Sequence, residues 1–237
     1  MPKRLTQTLL GSLICLITAS ASAAPVLIKE SALGNGQWTT SLTLPIQSGA
    51  ANYWAGLQTL VIDNVNSVLA FCVDPWEWSP SSNQSYNTGS LDSLFGTTKA
   101  SYIRELYSES YAGTLKPNNG GANAAAGFQL ALWEIIADGD LKLDGSGLVR
   151  TNSNTTQNIV AIANGMLNQI NGVYGNDNYS FTFYTSGKSA GAGTTAGFQD
   201  YLVVNKIPEP GIGLLMATAL GGMSLLSLRR RKTAKQA

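Results

Sequence analysis

The chain has no histidine among its 237 residues, and that absence removes a large share of familiar chemistry. A Ser-His-Asp or Cys-His catalytic site is excluded, and so is any histidine-ligated metal. The side chain best suited to proton transfer near neutral pH is missing too. Charge is sparse, with 12% of residues being Asp, Glu, Lys or Arg. Cysteine is nearly absent: there are two, Cys15 and Cys72.

What is present sorts by position. The N-terminus places Lys3 and Arg4 before an apolar run, Leu9 to Ile17, and then the small-residue signal Ala21-Ser22-Ala23. This three-part layout predicts a secretory signal peptide over residues 1–23. Cys15 falls in its apolar run, and Ile14 before it is too large for a lipoprotein signal, so Cys15 is expected to be discarded. At the other end, residues 211–228 carry no charge and are followed at once by Arg229, Arg230, Arg231 and Lys232. At about 1.5 Å per residue such a span reaches about 27 Å, just enough to cross a bilayer core. The basic cluster at 229–232 is expected to stay cytoplasmic, with Arg229, Arg230 and Arg231 as the anchor, so the preceding domain faces outward. The expected division is signal peptide 1–23, ectodomain 24–207 and tail 208–237.

Pro208-Glu209-Pro210-Gly211, the apolar span and the arginine cluster together resemble the PEP-CTERM sorting tail of exported Gram-negative proteins. Ile207 and Ile212 stand where that family usually has Val and Thr or Ser. The resemblance implies recognition by an exosortase, a membrane protease that cuts near Pro208, Glu209 and Pro210. It also implies an inner-membrane-tethered precursor that ends at the cell surface or outside the cell. Physically, two prolines around a glutamate make a stiff extended segment that a protease can reach.

The ectodomain has 184 residues, an ordinary single domain. It holds 8 basic and 13 acidic groups, a net charge near −5, although the whole chain is +1. Nothing in that balance attracts nucleic acid. Its abundant Asn, Ser, Thr and Gly suit an exported protein rich in turns.

Residues 25–31 and 37–46 alternate or are β-branched and predict two strands separated by Gly34-Asn35-Gly36. Residues 56–73 predict two more around Asp63-Asn64, and the stretch "DPWEWSPSSNQSYNTGS" reads as a loop. Helical spacing of Tyr102, Ile103, Leu106 and Tyr107 predicts a helix over 98–112, then a break at Asn118 to Gly121. Residues 122–137 are apolar almost all round and predict a buried helix. A third helix is expected over 156–172, capped by Asn154 or Thr155. Residues 178–185 alternate cleanly, and 198–206 form a last strand. Strands at both ends with helices between predict an α+β domain, a β-sandwich or barrel with an insertion of about three helices.

Once the signal is removed, Cys72 is the lone cysteine, so an internal disulfide is impossible. A buried inert thiol is one reading, since Phe71 and Val73 flank it. Gln129 is a second oddity: an amide in the middle of the apolar helix pattern "AAAGFQLALWEII". A buried amide must find partners or cost free energy. Ala125 and Trp133, four residues away on either side, share its face and leave a recess beside a flat ring. The two oddities can be joined, because a cysteine sulfur can attack a glutamine carboxamide and expel ammonia. That reaction needs close approach, dryness and a polarised carbonyl.

The segments "FCVD" and "FQLALWEI" resemble the thioester domain of bacterial surface adhesins, which carries an aromatic-Cys strand and a Thr-Gln-x-Ala-aliphatic-Trp helix. Phe71 and Cys72 match the first motif; Gln129, Ala131, Leu132 and Trp133 match the second. Phe128 stands where that family has Thr. The resemblance implies a Cys72–Gln129 thioester cross-link with Phe71, Phe128 and Trp133 as its pocket. It further implies covalent adhesion to a surface or matrix ligand bearing a nucleophile. Gln199 also follows an "AGF" but lacks the Trp at +4, so Gln129 is the expected partner.

Weaker signals remain. Asp138, Asp140 and Asp144 lie close together, as in calcium loops, but Lys142 interrupts the EF-hand pattern and no Glu closes it. Trp76 and Trp78 could stack on a sugar, which makes a carbohydrate-binding module one alternative and a purely structural matrix protein another. No carboxylate pair is singled out for glycoside hydrolysis, so no enzyme activity is expected. No cofactor and no metal are called for.

Overall fold

The hairpin β2 (Ala51–Ile62) to β3 (Asn66–Cys72) turns where the sequence predicts it. Asp63 and Asn64 both take left-handed backbone, with φ of 51° and 58°, which Asp and Asn tolerate better than other side-chain-bearing residues. The Asp63 carboxylate then accepts the Leu27 N–H at 2.9 Å, fastening the turn to the first strand. The computed structural model describes residues 24–47, 49–173, 179–186 and 197–207. The expected signal peptide, span 211–228, sorting residues Pro208, Glu209 and Pro210, and anchor Arg229, Arg230 and Arg231 lie outside the described residues. No helix among the described residues is long and apolar enough to cross a membrane.

The strands β1 (Val26–Leu42), β2, β3, β4 (Gln84–Gly89), β5 (Tyr179–Thr185) and β6 (Tyr201–Lys206) are antiparallel throughout. They close into a barrel in the order β1-β2-β3-β6-β5-β4. The helices α1 (Leu91–Thr114), α2 (Asn118–Ala137) and α3 (Gln157–Leu167) are inserted between β4 and β5. The fold is thus α+β, with a barrel and three inserted helices.

Five local expectations are corrected, the first being the break expected at Asn118 to Gly121, where α2 already begins. Residues 34–36 are not a turn; β1 runs through them as a bulge, its register jumping from Leu33↔Gln58 to Gly36↔Gly56. The bulge re-aims Asn35, whose amide donates to the Thr114 and Lys116 carbonyls at 2.8 and 2.9 Å and satisfies the end of α1. β4 lies within the stretch expected to be a loop, and carries no alternating signal because Tyr86 is its sole buried residue. The first helix starts at Leu91, not 98: the Ser90 hydroxyl accepts the Ser93 N–H, and Gly96, at φ 72°, breaks the helix internally. The third helix starts at Gln157 after Thr156, and ends at Leu167. Thr155 is instead spent on Ser41, its hydroxyl donating to that carbonyl at 2.9 Å.

Two apolar layers result. Ile28, Leu60, Ile62, Ala70, Tyr86, Tyr201 and Val203 fill the barrel. A larger core lies between the opposite face of the sheet and the helices, and includes Phe71, Tyr107, Phe128, Leu130 and Phe183. α2 is its axis, packed on α1, α3, β1 and β2. It has little choice, since "AAAGFQLALWEII" is buried from Ala125 to Ile136. Gly127 allows α3 to close on it: a Cβ there would sit 2.4 Å from Ile162 Cγ2.

Candidate functional site

β3 ends at Cys72, and the reason the site exists lies in how it ends. Alternate residues of a strand point their main-chain groups to opposite edges. Val73 N–H donates to the Asp200 carbonyl at 3.0 Å, toward β6, so the Cys72 groups face the other edge. On that edge β2 pairs with β3 only as far as Gln58↔Ala70. Cys72 therefore has a free N–H and a free C=O in a buried place, where leaving them unpaired is costly.

Gln129 fills the gap. The Cys72 N–H donates to Gln129 Oε1 at 3.2 Å, and Gln129 Nε2 donates to the Cys72 carbonyl at 2.7 Å. The carboxamide thus completes the strand edge as a β2 residue would, and it lies against the residue that bears the sulfur. Both residues are 1% exposed. The Cys72 thiol donates to the Asp74 carbonyl at 3.3 Å.

Electrostatics around the sulfur pull in both directions. Burial pushes the Cys72 thiol well above its ordinary pKa, and the Asp74 carboxylate adds to this. The Trp133 side chain, against the sulfur, works the other way. Three acids crowd the same end of the barrel. Burial, and then the Asp74 charge, push Glu77 up to about 7. Burial raises Asp74, and burial with the Asp74 charge raises Asp200 to about 7. Asp200 accepts the Ser186 N–H at 2.7 Å. Nothing in the residue pattern marks this acidic group, because Asp74 and Asp200 are far apart in the chain and meet through the pairing of β3 with β6.

The other sequence-predicted residues fall in distinct places. Phe71 and Phe128 stack on each other, centroids 4.5 Å apart, within the aromatic core of Tyr107 and Tyr111. Neighbouring strand residues face opposite ways, so Phe71 is turned to the helices while Cys72 shares the Ala70 side. Phe71 and Phe128 thus clamp β3 to α2 rather than line a recess at the thiol, and Trp133 alone of the three approaches the sulfur. Gln199 is engaged elsewhere: its Oε1 accepts from Ser79 at 2.7 Å and from Gln58 at 3.3 Å. Trp76 and Trp78 do not share a site. Trp76 is half-buried beside Leu44 and Pro45, whereas Trp78 is exposed over a different cleft. Asp138 accepts the Leu148 and Val149 N–H groups, Asp140 that of Lys142, and Asp144 pairs with Lys142 at 2.8 Å. No group of three or more metal-ligating side chains is gathered among the described residues.

No protein-family model matches the chain, and no curated protein matches it. Among solved structures, it is similar to the N-terminal domain of the Streptococcus pyogenes pilus tip adhesin Cpa, at 16% identity and a TM-score of 0.39, over 76% of this chain and 98% of that one. It is also similar to the N-terminal thioester domain of the fibronectin-binding protein SfbI from Streptococcus pyogenes, at 13% identity and a TM-score of 0.41, over 80% and 97%.

Proposed function

We propose that this chain is an exported surface protein whose ectodomain carries an internal thioester between Cys72 and Gln129 and uses it for covalent adhesion. The observation that supports the reading is the double hydrogen bond between the Gln129 carboxamide and the Cys72 main chain. It holds the carboxamide against the Cys72 main chain, in a place closed to bulk solvent.

The proposed bond formation makes use of those contacts. The Cys72 sulfur attacks the Gln129 amide carbon, and the Cys72 N–H already points at Oε1, where negative charge develops. The C–N bond breaks, the thiol proton goes to the leaving nitrogen, and ammonia departs. The raised thiol pKa means the proton must move as the C–S bond forms, since little thiolate is present beforehand. The product is an acyl group that a nucleophile on a surface or matrix ligand attacks, attaching the ligand to Gln129 and returning Cys72 as a thiol.

Export, an exosortase-type processing step at Pro208-Glu209-Pro210 and a transient membrane anchor through 211–228 belong to the same proposal. They rest on the sequence pattern of the two ends. The ectodomain itself is read as an adhesion module and not an enzyme.

Intact mass decides the thioester. The freshly purified chain is expected to be lighter by one ammonia than its sequence, and to gain one methylamine when that amine is added. A full complement of titratable Cys72 thiol at the unaltered mass would end the reading.

A further inference from the structure

Nine buried side-chain polar atoms among the described residues lack a well-formed hydrogen bond, and the residues that carry five of them line a single cleft. They are the Tyr53 hydroxyl, Gln58 Oε1, both Glu77 oxygens and the Trp133 indole N–H, of which Glu77 has only loose contacts with Asp74 and the Gly197 main chain, and Trp133 one with the Cys72 sulfur. Buried polar groups are normally satisfied, so a concentration of this kind asks for an absent partner. Glu77 is 2% exposed, so water in bulk does not serve it.

The cleft has a volume of about 320 Å³, at the small end for a ligand site. Its rim carries Trp38 and Trp78, which are 59% and 56% exposed. Burying such rings is favourable and leaving them in water is not, so two on one rim mark a place where a flat apolar face is covered. Each is braced: Trp38 sits edge-on to Trp54 at 5.9 Å, and Trp78 stacks on Tyr53 at 6.4 Å. The cleft contains no basic side chain.

We propose that this cleft is a saccharide-binding site, with a pyranose ring stacked on Trp78 and Trp38 and its hydroxyls meeting Tyr53, Gln58, Glu77 and Trp133. A sugar ring has an apolar face for the tryptophans and an edge of groups that each donate and accept. The orphaned set needs both: Gln58 and Glu77 accept, Trp133 donates, and Tyr53 can do either. A primary ammonium would satisfy the acceptors and offer the Trp133 N–H nothing beyond its loose contact with the Cys72 sulfur. Glu77 also has a softened charge, since burial and Asp74 hold it partly protonated near neutral pH, which weakens its pull on a cation.

The site does not depend on the thioester, but it adjoins it. Trp133 has one side in the cleft and lies against the Cys72 sulfur. A bound saccharide therefore rests on the residue next to the Cys72–Gln129 pair.

The test is fluorescence titration of the full-length chain, in a detergent without sugar headgroups. The probes are β-1,4-linked hexamers of glucose, mannose and N-acetylglucosamine, with a lysine-containing peptide beside them. At least one saccharide is expected to change the tryptophan emission saturably, in the wild type and equally in Cys72→Ala. Trp78→Ala and Trp38→Ala are each expected to weaken that binding about tenfold or more, the scale of a lost aromatic anchor, with the melting temperature unchanged. Because both rings are exposed, these variants keep the fold. Binding of none of the three saccharides, binding indifferent to both tryptophan variants, or binding of the lysine peptide alone would each overturn the assignment. Loss of the ammonia deficit in Cys72→Ala with saccharide binding retained separates this site from the thioester reading.

Discussion

The Gln129 side chain is hydrogen-bonded to both main-chain groups of Cys72, so a helix residue stands in for a missing strand residue. Gln129→Ala is expected to strand a buried N–H and a buried C=O, costing about 2–4 kcal/mol. Gln129→Glu keeps an acceptor for the Cys72 N–H but places a second acceptor against the Cys72 carbonyl. It is expected to be destabilising at neutral pH and milder in acid, where the new carboxyl is protonated. Urea unfolding at pH 5 and pH 8 measures both, and neither variant is expected to show the ammonia deficit.

Stability is expected to fall as pH rises from about 4.5 to 9. Glu77 and Asp200 have folded pKa values near 7, and Glu134 one of about 9, raised first by burial, then by its contact with Asp140 and the Asp138 charge. A carboxyl with a raised folded pKa binds more protons in the folded chain than in the unfolded one. Its stabilising share is therefore complete below the unfolded value and is lost as pH climbs through the folded value. Thermal melts between pH 4.5 and 9 check the sign. Glu134→Gln is expected to flatten the upper part of that decline, and Glu77→Gln the part around pH 7.

The Phe71–Phe128 stack is expected to be among the most costly places to cut. Phe128→Ala removes a fully buried ring that touches Phe71, Tyr107 and Tyr111, and is expected to cost about 3–5 kcal/mol. Because that stack clamps β3 to α2, the variant is also expected to expose the Cys72 region, read as faster labelling of any free thiol in urea.

Gly127→Ala is expected to be destabilising by about 1–3 kcal/mol, since the new methyl meets Ile162 Cγ2. Adding Ile162→Ala should recover a good part of the loss. A double-mutant cycle by chemical unfolding reads the coupling.

Much of this fold is visible in the residues, and the parts that are not have physical causes. Alternation exposed β5, and the pattern over 122–137, apolar almost all round, announced a buried helix. The pairing of Cys72 with Gln129 was reachable because each is an oddity in its own segment: a lone thiol and an amide among apolar neighbours. β4 left no trace, since a strand that closes a barrel with one buried tyrosine carries no alternating pattern. Gly34-Asn35-Gly36 misled for the opposite reason: turn chemistry there serves a bulge that presents Asn35 to the end of α1. Tryptophan proximity in sequence misled again. Trp76 and Trp78 are two apart and diverge, whereas Trp38 and Trp78 are forty apart and share a rim. Glu77 and Asp200 became unusual only through the company that closure of the barrel gave them.

Closure has one further consequence. The sheet returns on itself only around the barrel; past the pairings with β4 and β3, β1 and β2 run on together as a two-stranded ribbon, against which α2 packs. A second copy adding strand to strand therefore has only the outer edges of that ribbon to pair with, and none along the closed part of the barrel.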